Sequence, residues 1–189
     1  MYLLSDTVPD GEDAAYAEVA MRVLDLLTLD ARVLDSIGFF ARNSLLNHPE
    51  NRTASLTFEE FKKARDGDKG KFFVALADHL QVPGDRARFN NAFFRVNRTR
   101  NYIAHAKDMV AMTKASGPGI AITYYKSKEG RLTILGGESW VSLRLLKERR
   151  ADLEWMLLHV AWGRQYLKQP VGVYAPAAGE LTAPPPPRP

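Results

Sequence analysis

Apolar side chains in this sequence recur at three- and four-residue steps over long stretches, the period that lines up one face of an α-helix. Tyr16, Val19, Val23, Leu26 and Leu27 form such a stripe in residues 13–29, and Val33, Leu34, Ile37, Phe40, Ala41 and Leu45 form a second from Asp30 to Asn47. Phe89, Phe93, Val96, Thr99 or Arg100, and Ile103 repeat the pattern, and helical signal fades near Met112. A fourth stripe, with Leu143, Leu146, Leu153, Met156 or Leu157, Val160 and Leu167, predicts a long helix with Ser139 as its N-cap. The period therefore predicts an all-α fold, a helical bundle of roughly five to seven helices.

Shorter signals fill the gaps. His48-Pro49 ends the second helix, because proline disfavours helix in the residue before it. Thr57 followed by Glu60 has the capping-box spacing and predicts a short helix to about Arg65. Asp66-Gly67-Asp68-Lys69-Gly70 reads as a loop, and Phe72, Phe73, Leu76 and Leu80 as a helix that stops before Pro83-Gly84. Two runs break the helical pattern, Ile120–Tyr125 and Arg131–Leu135; both are β-branched or aromatic and are joined by Lys126–Gly130, which predicts one inserted β-hairpin at about 120–135.

Charge is distributed unevenly. Arg86 to Lys107 holds six basic residues and no acidic one, whereas the whole chain carries +4, so the remainder sums to −2. Residues 1–30 hold seven acids against Arg22 alone, a segment that can dock on the basic helix, face a second subunit or simply solubilise a helix. Positive charge gathered on one helix points to a polyanion such as RNA. On an ideal helix Arg98, Asn101 and His105 share a strip distinct from the phenylalanines, while Arg100 lies roughly 140° around from His105. Arg95, Arg98 and Lys107 are candidate phosphate contacts, and Lys126, Lys128 and Arg131 would add others from the hairpin, with tyrosines for base stacking.

Arg100-Asn101-Tyr102-Ile103-Ala104-His105 has the R-N-x-x-x-H form of the R-x4-6-H signature and resembles the HEPN domains, small helical proteins often found as ribonucleases in toxin-antitoxin and phage-defence systems. Arg98 to His105 also fits the spacing. The resemblance implies metal-independent RNA cleavage to a 2′,3′-cyclic phosphate, with His105 handling protons, Arg100 clamping phosphate and Asn101 orienting. It also implies a homodimer with a composite groove and a cognate antitoxin as partner. The resemblance takes in residues 1–168, a HEPN-like helical domain. The bland account of the same residues is a histidine at a helix end and a solvated basic face. The alternative function is a non-catalytic helical module that binds RNA or protein through residues 86–107.

Cysteine is absent, which excludes disulfides and thiolate chemistry, and His48, His79, His105 and His159 show no metal-site spacing, so neither metal nor cofactor is expected. His159 and the three tryptophans read as core, His159 as a satisfied buried or half-buried histidine. No run approaches the roughly 18 apolar residues of a membrane span, and the acidic start MYLLSDTVPDGED lacks a signal-peptide pattern, so a cytoplasmic protein without membrane contact is expected. Residues 169–189 are rich in proline and alanine and predict a disordered tail.

Overall fold

The computed structural model describes residues 11–47, 60–82, 84–123, 126–128, 131–133 and 138–167. Its elements in order are α1 (Gly11–Asn47), α2 (Asp66–His79), α3 (Arg86–Ala104), β1 (Asp108–Lys114), β2 (Gly117–Thr123), β3 (Lys126–Lys128), β4 (Arg131–Thr133), β5 (Glu138–Ser142) and α4 (Leu143–Leu167). Residues 60–63 are also helical. The molecule is mostly helical with a small antiparallel sheet of order β1-β2-β5 and a separate pair β3-β4. The expected tail, the His48-Pro49 helix stop and the start of the Thr57 helix lie outside the described residues.

Several elements differ from expectation. The two helices expected on either side of Asp30 are one 37-residue helix, α1. Nothing between Leu29 and Ala31 breaks a helix, and the buried positions Leu26, Asp30, Val33 and Ile37 continue one stripe through the junction. The stretch Asp66–Gly70 is not a loop but the first turns of α2. Asp66 and Asp68 put negative charge on its positive end, and the Asp68 amide donates to the Arg65 carbonyl at 2.8 Å. The glycines there serve close approach: a Cβ at Gly70 would stand 2.3 Å from Cδ1 of Phe93.

α3 ends at Ala104, and the chain turns into β1 rather than running helical toward Met112. The Lys107 amide donates to the Thr123 carbonyl at 2.8 Å, which starts the β1–β2 pairing. Gly117 at φ +99° supplies the backbone conformation that closes this hairpin through Ala115 and Ser116. The hairpin predicted from the runs 120–125 and 131–135 is thus rearranged. β2 pairs with β1 and β5, Ile120 opposite Val141, while Lys128 pairs with Arg131 in the β3–β4 ribbon. Ser139 lies in β5; the cap of α4 is Ser142, whose Oγ accepts from the Leu145 amide at 3.2 Å.

The chain divides into two compact units, residues 1–27 with 98–150 and residues 28–97 with 151–189. In the first, Val19, Leu26, Ile103, Ile120, Ile122, Val141 and Leu146 are buried. Acidic residues of α1 meet basic residues of α4 here: Glu18 pairs with Lys147 at 2.9 Å and Asp25 with Arg150 at 2.8 Å. The Lys147 hydrogen bond holds the Glu18 carboxyl below its ordinary pKa. In β5, Trp140 reaches the β1–β2 turn, its Nε1 donating to Ser116 Oγ at 3.2 Å with Lys114 Nζ 4.8 Å from the ring centre.

The second unit is built on aromatic rings. Phe40, Phe73 and Phe89 follow one another at centroid distances of 4.9 and 4.5 Å, and Trp155 stacks on His159 at 4.9 Å. Val33, Ile37, Val96, Leu153, Met156 and Val160 are also buried, each side chain worth roughly 1.5–3 kcal/mol of transfer free energy. Asp85 caps α3, its Oδ1 accepting from the Arg88 amide at 2.9 Å.

Candidate functional site

The last turn of α3 carries the Arg-Asn-His string. Thr99 and Ile103 are buried, which orients the turn and leaves Arg98 exposed and Arg100, Asn101 and Tyr102 half-buried. Arg100 Nη1 donates to Asn101 Oδ1 at 3.2 Å, so these neighbours form one polar unit. Arg98 Nε donates to the Tyr102 hydroxyl at 3.3 Å, and its guanidinium carbon lies 5.8 Å from the Tyr102 ring centre. That hydrogen bond raises the Arg98 pKa above the ordinary arginine value, so the group stays cationic.

His105 is the first residue beyond α3 and is exposed. Its amide donates to the Asn101 carbonyl at 3.0 Å, continuing the helical ladder by one bond and keeping His105 above the Asn101 turn. An imidazole at an exposed helix end is accessible to a substrate and to solvent alike. Lys107, also exposed, follows two residues on. Arg98, Arg100, Asn101, His105 and Lys107 thus share one short segment of the first unit.

The other expected contacts are placed differently. Arg95 belongs to the second unit and makes a two-point ion pair with Asp152, Nε to Oδ2 at 3.1 Å and Nη2 to Oδ1 at 2.8 Å. Fifty-seven residues separate the two, so no local pattern announces the pair. Lys126, Lys128 and Arg131 sit in the β3–β4 ribbon, where Lys126 is opposite Thr133; their side chains lie outside the described residues.

His159 is buried, 2% exposed, but its Nδ1 finds no hydrogen-bond partner among the described residues, so it is not the satisfied histidine expected. Burial, then the charge of Arg86, lowers its pKa to about 4; Asp85 partly opposes this and Arg88 adds to it. A Cβ at Gly84 would stand 2.4 Å from the imidazole Cε1, so the turn before α3 rests directly on the ring.

One concavity has no signal in the sequence. Phe39 and Arg42 from α1, Phe61 and Lys62 from the helical residues 60–63, and Lys69 from α2 line a pocket of about 300 Å³ in the second unit. Its members are scattered over three segments, and Lys69 is already paired with Asp66 at 2.8 Å. Among the described residues no three His, Cys, Asp or Glu side chains cluster in a way that would hold a metal ion, and no helix is long and apolar enough to cross a membrane.

No family model, no curated protein and no solved structure matches the chain.

Proposed function

We propose that the protein is a metal-independent endoribonuclease of HEPN type, acting in the cytoplasm as a toxin or phage-defence effector, with a homodimer as its working form and a cognate antitoxin as its restraint. The observation that carries this reading is the joined Arg100–Asn101 pair with exposed His105 one turn later on the same basic helix end. In the reaction a ribose 2′-oxygen bonds to the adjacent phosphorus as the P–O5′ bond breaks, leaving a 2′,3′-cyclic phosphate and a free 5′-hydroxyl. His105 takes the 2′-hydroxyl proton as general base, and its imidazolium then returns a proton to the departing O5′. Arg100 and Arg98 remain protonated and stabilise the extra negative charge on the phosphoryl oxygens. Asn101 fixes Arg100 through the 3.2 Å hydrogen bond, which makes it a positioning residue for the clamp rather than for the imidazole.

A second reading has its own supporting observation. Each arginine of α3 considered for RNA already has a protein partner, Asp152, Tyr102 or Asn101, as a solvated structural face or a non-catalytic RNA-binding module would have. The two readings separate in His105→Ala. An enzyme loses cleavage by about 10²-fold or more and keeps its RNA affinity. Retained cleavage in that variant refutes the role given to His105.

A further inference from the structure

β1 is the exposed margin of the three-stranded sheet. Asp108, Met109, Val110, Ala111 and Thr113 are all exposed, Met109 by 47% and Val110 by 52%. The order β1-β2-β5 leaves β1 without a neighbour on its outer side among the described residues. Edge strands of this kind offer alternate N–H and C=O groups outward, and proteins commonly blunt them with proline, a bulge or a charge in mid-strand. None of these devices is present: β1 keeps register with β2 through all seven positions, contains no proline, and carries charge only at its ends, on Asp108 and Lys114.

We propose that β1 pairs antiparallel with β1 of a second copy of this chain, about a twofold axis at Ala111. The register follows from charge. An antiparallel pairing centred there sets Asp108 opposite the partner's Lys114, and by symmetry repeats the pair at the other end; no other centre sets Asp108 opposite a basic residue of the strand. Asp108, Val110, Met112 and Lys114 share the face on which Trp140 lies, since Val110 is opposite Ala121 and Ala121 is opposite Trp140. The pairing therefore also sets Val110 against the partner's Met112, twice. The complement that β1 requires is its own sequence read backwards, which selects a second copy over an unrelated peptide. About six to eight main-chain hydrogen bonds with little apolar burial give a weak, concentration-dependent dimer.

This inference rests on the homodimer in the proposed function and not on RNA cleavage: the twofold at Ala111 puts the two Asp108 at opposite ends of the ladder, about 20 Å apart, with each His105 beyond its own Asp108, so each copy keeps a separate site in place of a composite groove. Sedimentation velocity of the full chain over roughly 1–500 μM tests it, the range in which a small interface is populated. Wild type should dimerise. Asp108→Lys and Lys114→Asp each put like charges opposite at both ends and should each weaken the dimer by about tenfold or more. Mixed together they should form a heterodimer, since each supplies the charge the other lacks. Lys114 also lies over Trp140, so Asp108→Lys is the cleaner single variant and the mixture the decisive one. A wild-type dimer indifferent to Asp108→Lys, or no heterodimer on mixing, overturns this interface and leaves a dimer through another surface. A monomer throughout overturns both the interface and the homodimer.

Discussion

His159 shows how one side chain can set a pH limit on the fold. Its folded-state pKa lies near 4 against an ordinary 6.5, chiefly because burial disfavours the cation. Above pH 6.5 the ring is neutral in folded and unfolded chains alike. Between 6.5 and about 4 the unfolded chain takes up a proton that the folded chain refuses, so stability falls with pH by up to roughly 3 kcal/mol, and below 4 this contribution is exhausted. Urea midpoints at pH 7 and pH 5 should therefore differ more in wild type than in His159→Gln, and equal differences would assign the acid sensitivity to the carboxylates. Arg95 makes a second case at this scale. With two donors committed to Asp152, Arg95→Ala should lower stability by about 0.5–1 kcal/mol and RNA affinity less than Arg98→Ala does. Titrating RNA across salt concentrations separates them, Arg98→Ala reducing the salt slope by about 0.7 per lost single-strand contact. The helix that carries Arg98, Arg100 and Asn101 was legible from its apolar period; the Arg100–Asn101 hydrogen bond was not, since Asn101 was expected to orient the imidazole or bind phosphate, nor was the Asp152 partner, which comes from another helix.

At the scale of elements, the apolar stripes of α1, α3 and α4 were legible because burial selects the helical period directly: Phe89, Phe93, Val96, Thr99 and Ile103 are all at most 6% exposed. Glycine was the main source of error, since it marks both turns and close approaches. Gly67 and Gly70 lie inside α2, where a Cβ at Gly70 would overlap the Phe93 ring and one at Gly67 would stand 2.8 Å from the Asn97 amide nitrogen. Gly70→Ala should cost about 1–3 kcal/mol through overpacking against a buried ring, readable as a lower thermal midpoint, whereas a loop glycine would tolerate the change. β1 escaped because Asp108–Lys114 is short, mixed in character and follows a helix without a breaker. Strand pairing was out of reach as well. β2 was visible in its β-branched residues, but nothing local says that its partners are β1 and β5 rather than the next β-rich run.

For the whole molecule, helix dominance agrees with the architecture the sequence period implied, whereas the three-stranded sheet β1-β2-β5 and the separate β3-β4 ribbon stand where a single inserted hairpin was expected. Two acids of the acidic N-terminal segment, Glu18 and Asp25, find partners at α4 in Lys147 and Arg150, within the first unit. The α3 end keeps its own partners, Arg98 with Tyr102 and Arg100 with Asn101, and in the proposed function the same guanidinium groups meet RNA. The most direct test is incubation of the purified full chain with a mixed RNA pool in EDTA, beside His105→Ala, with the product ends analysed chemically. The account predicts fragments ending in 2′,3′-cyclic phosphate from wild type and none above background from the variant. Cleavage abolished by EDTA, 3′-hydroxyl ends, or equal cutting by His105→Ala would contradict it.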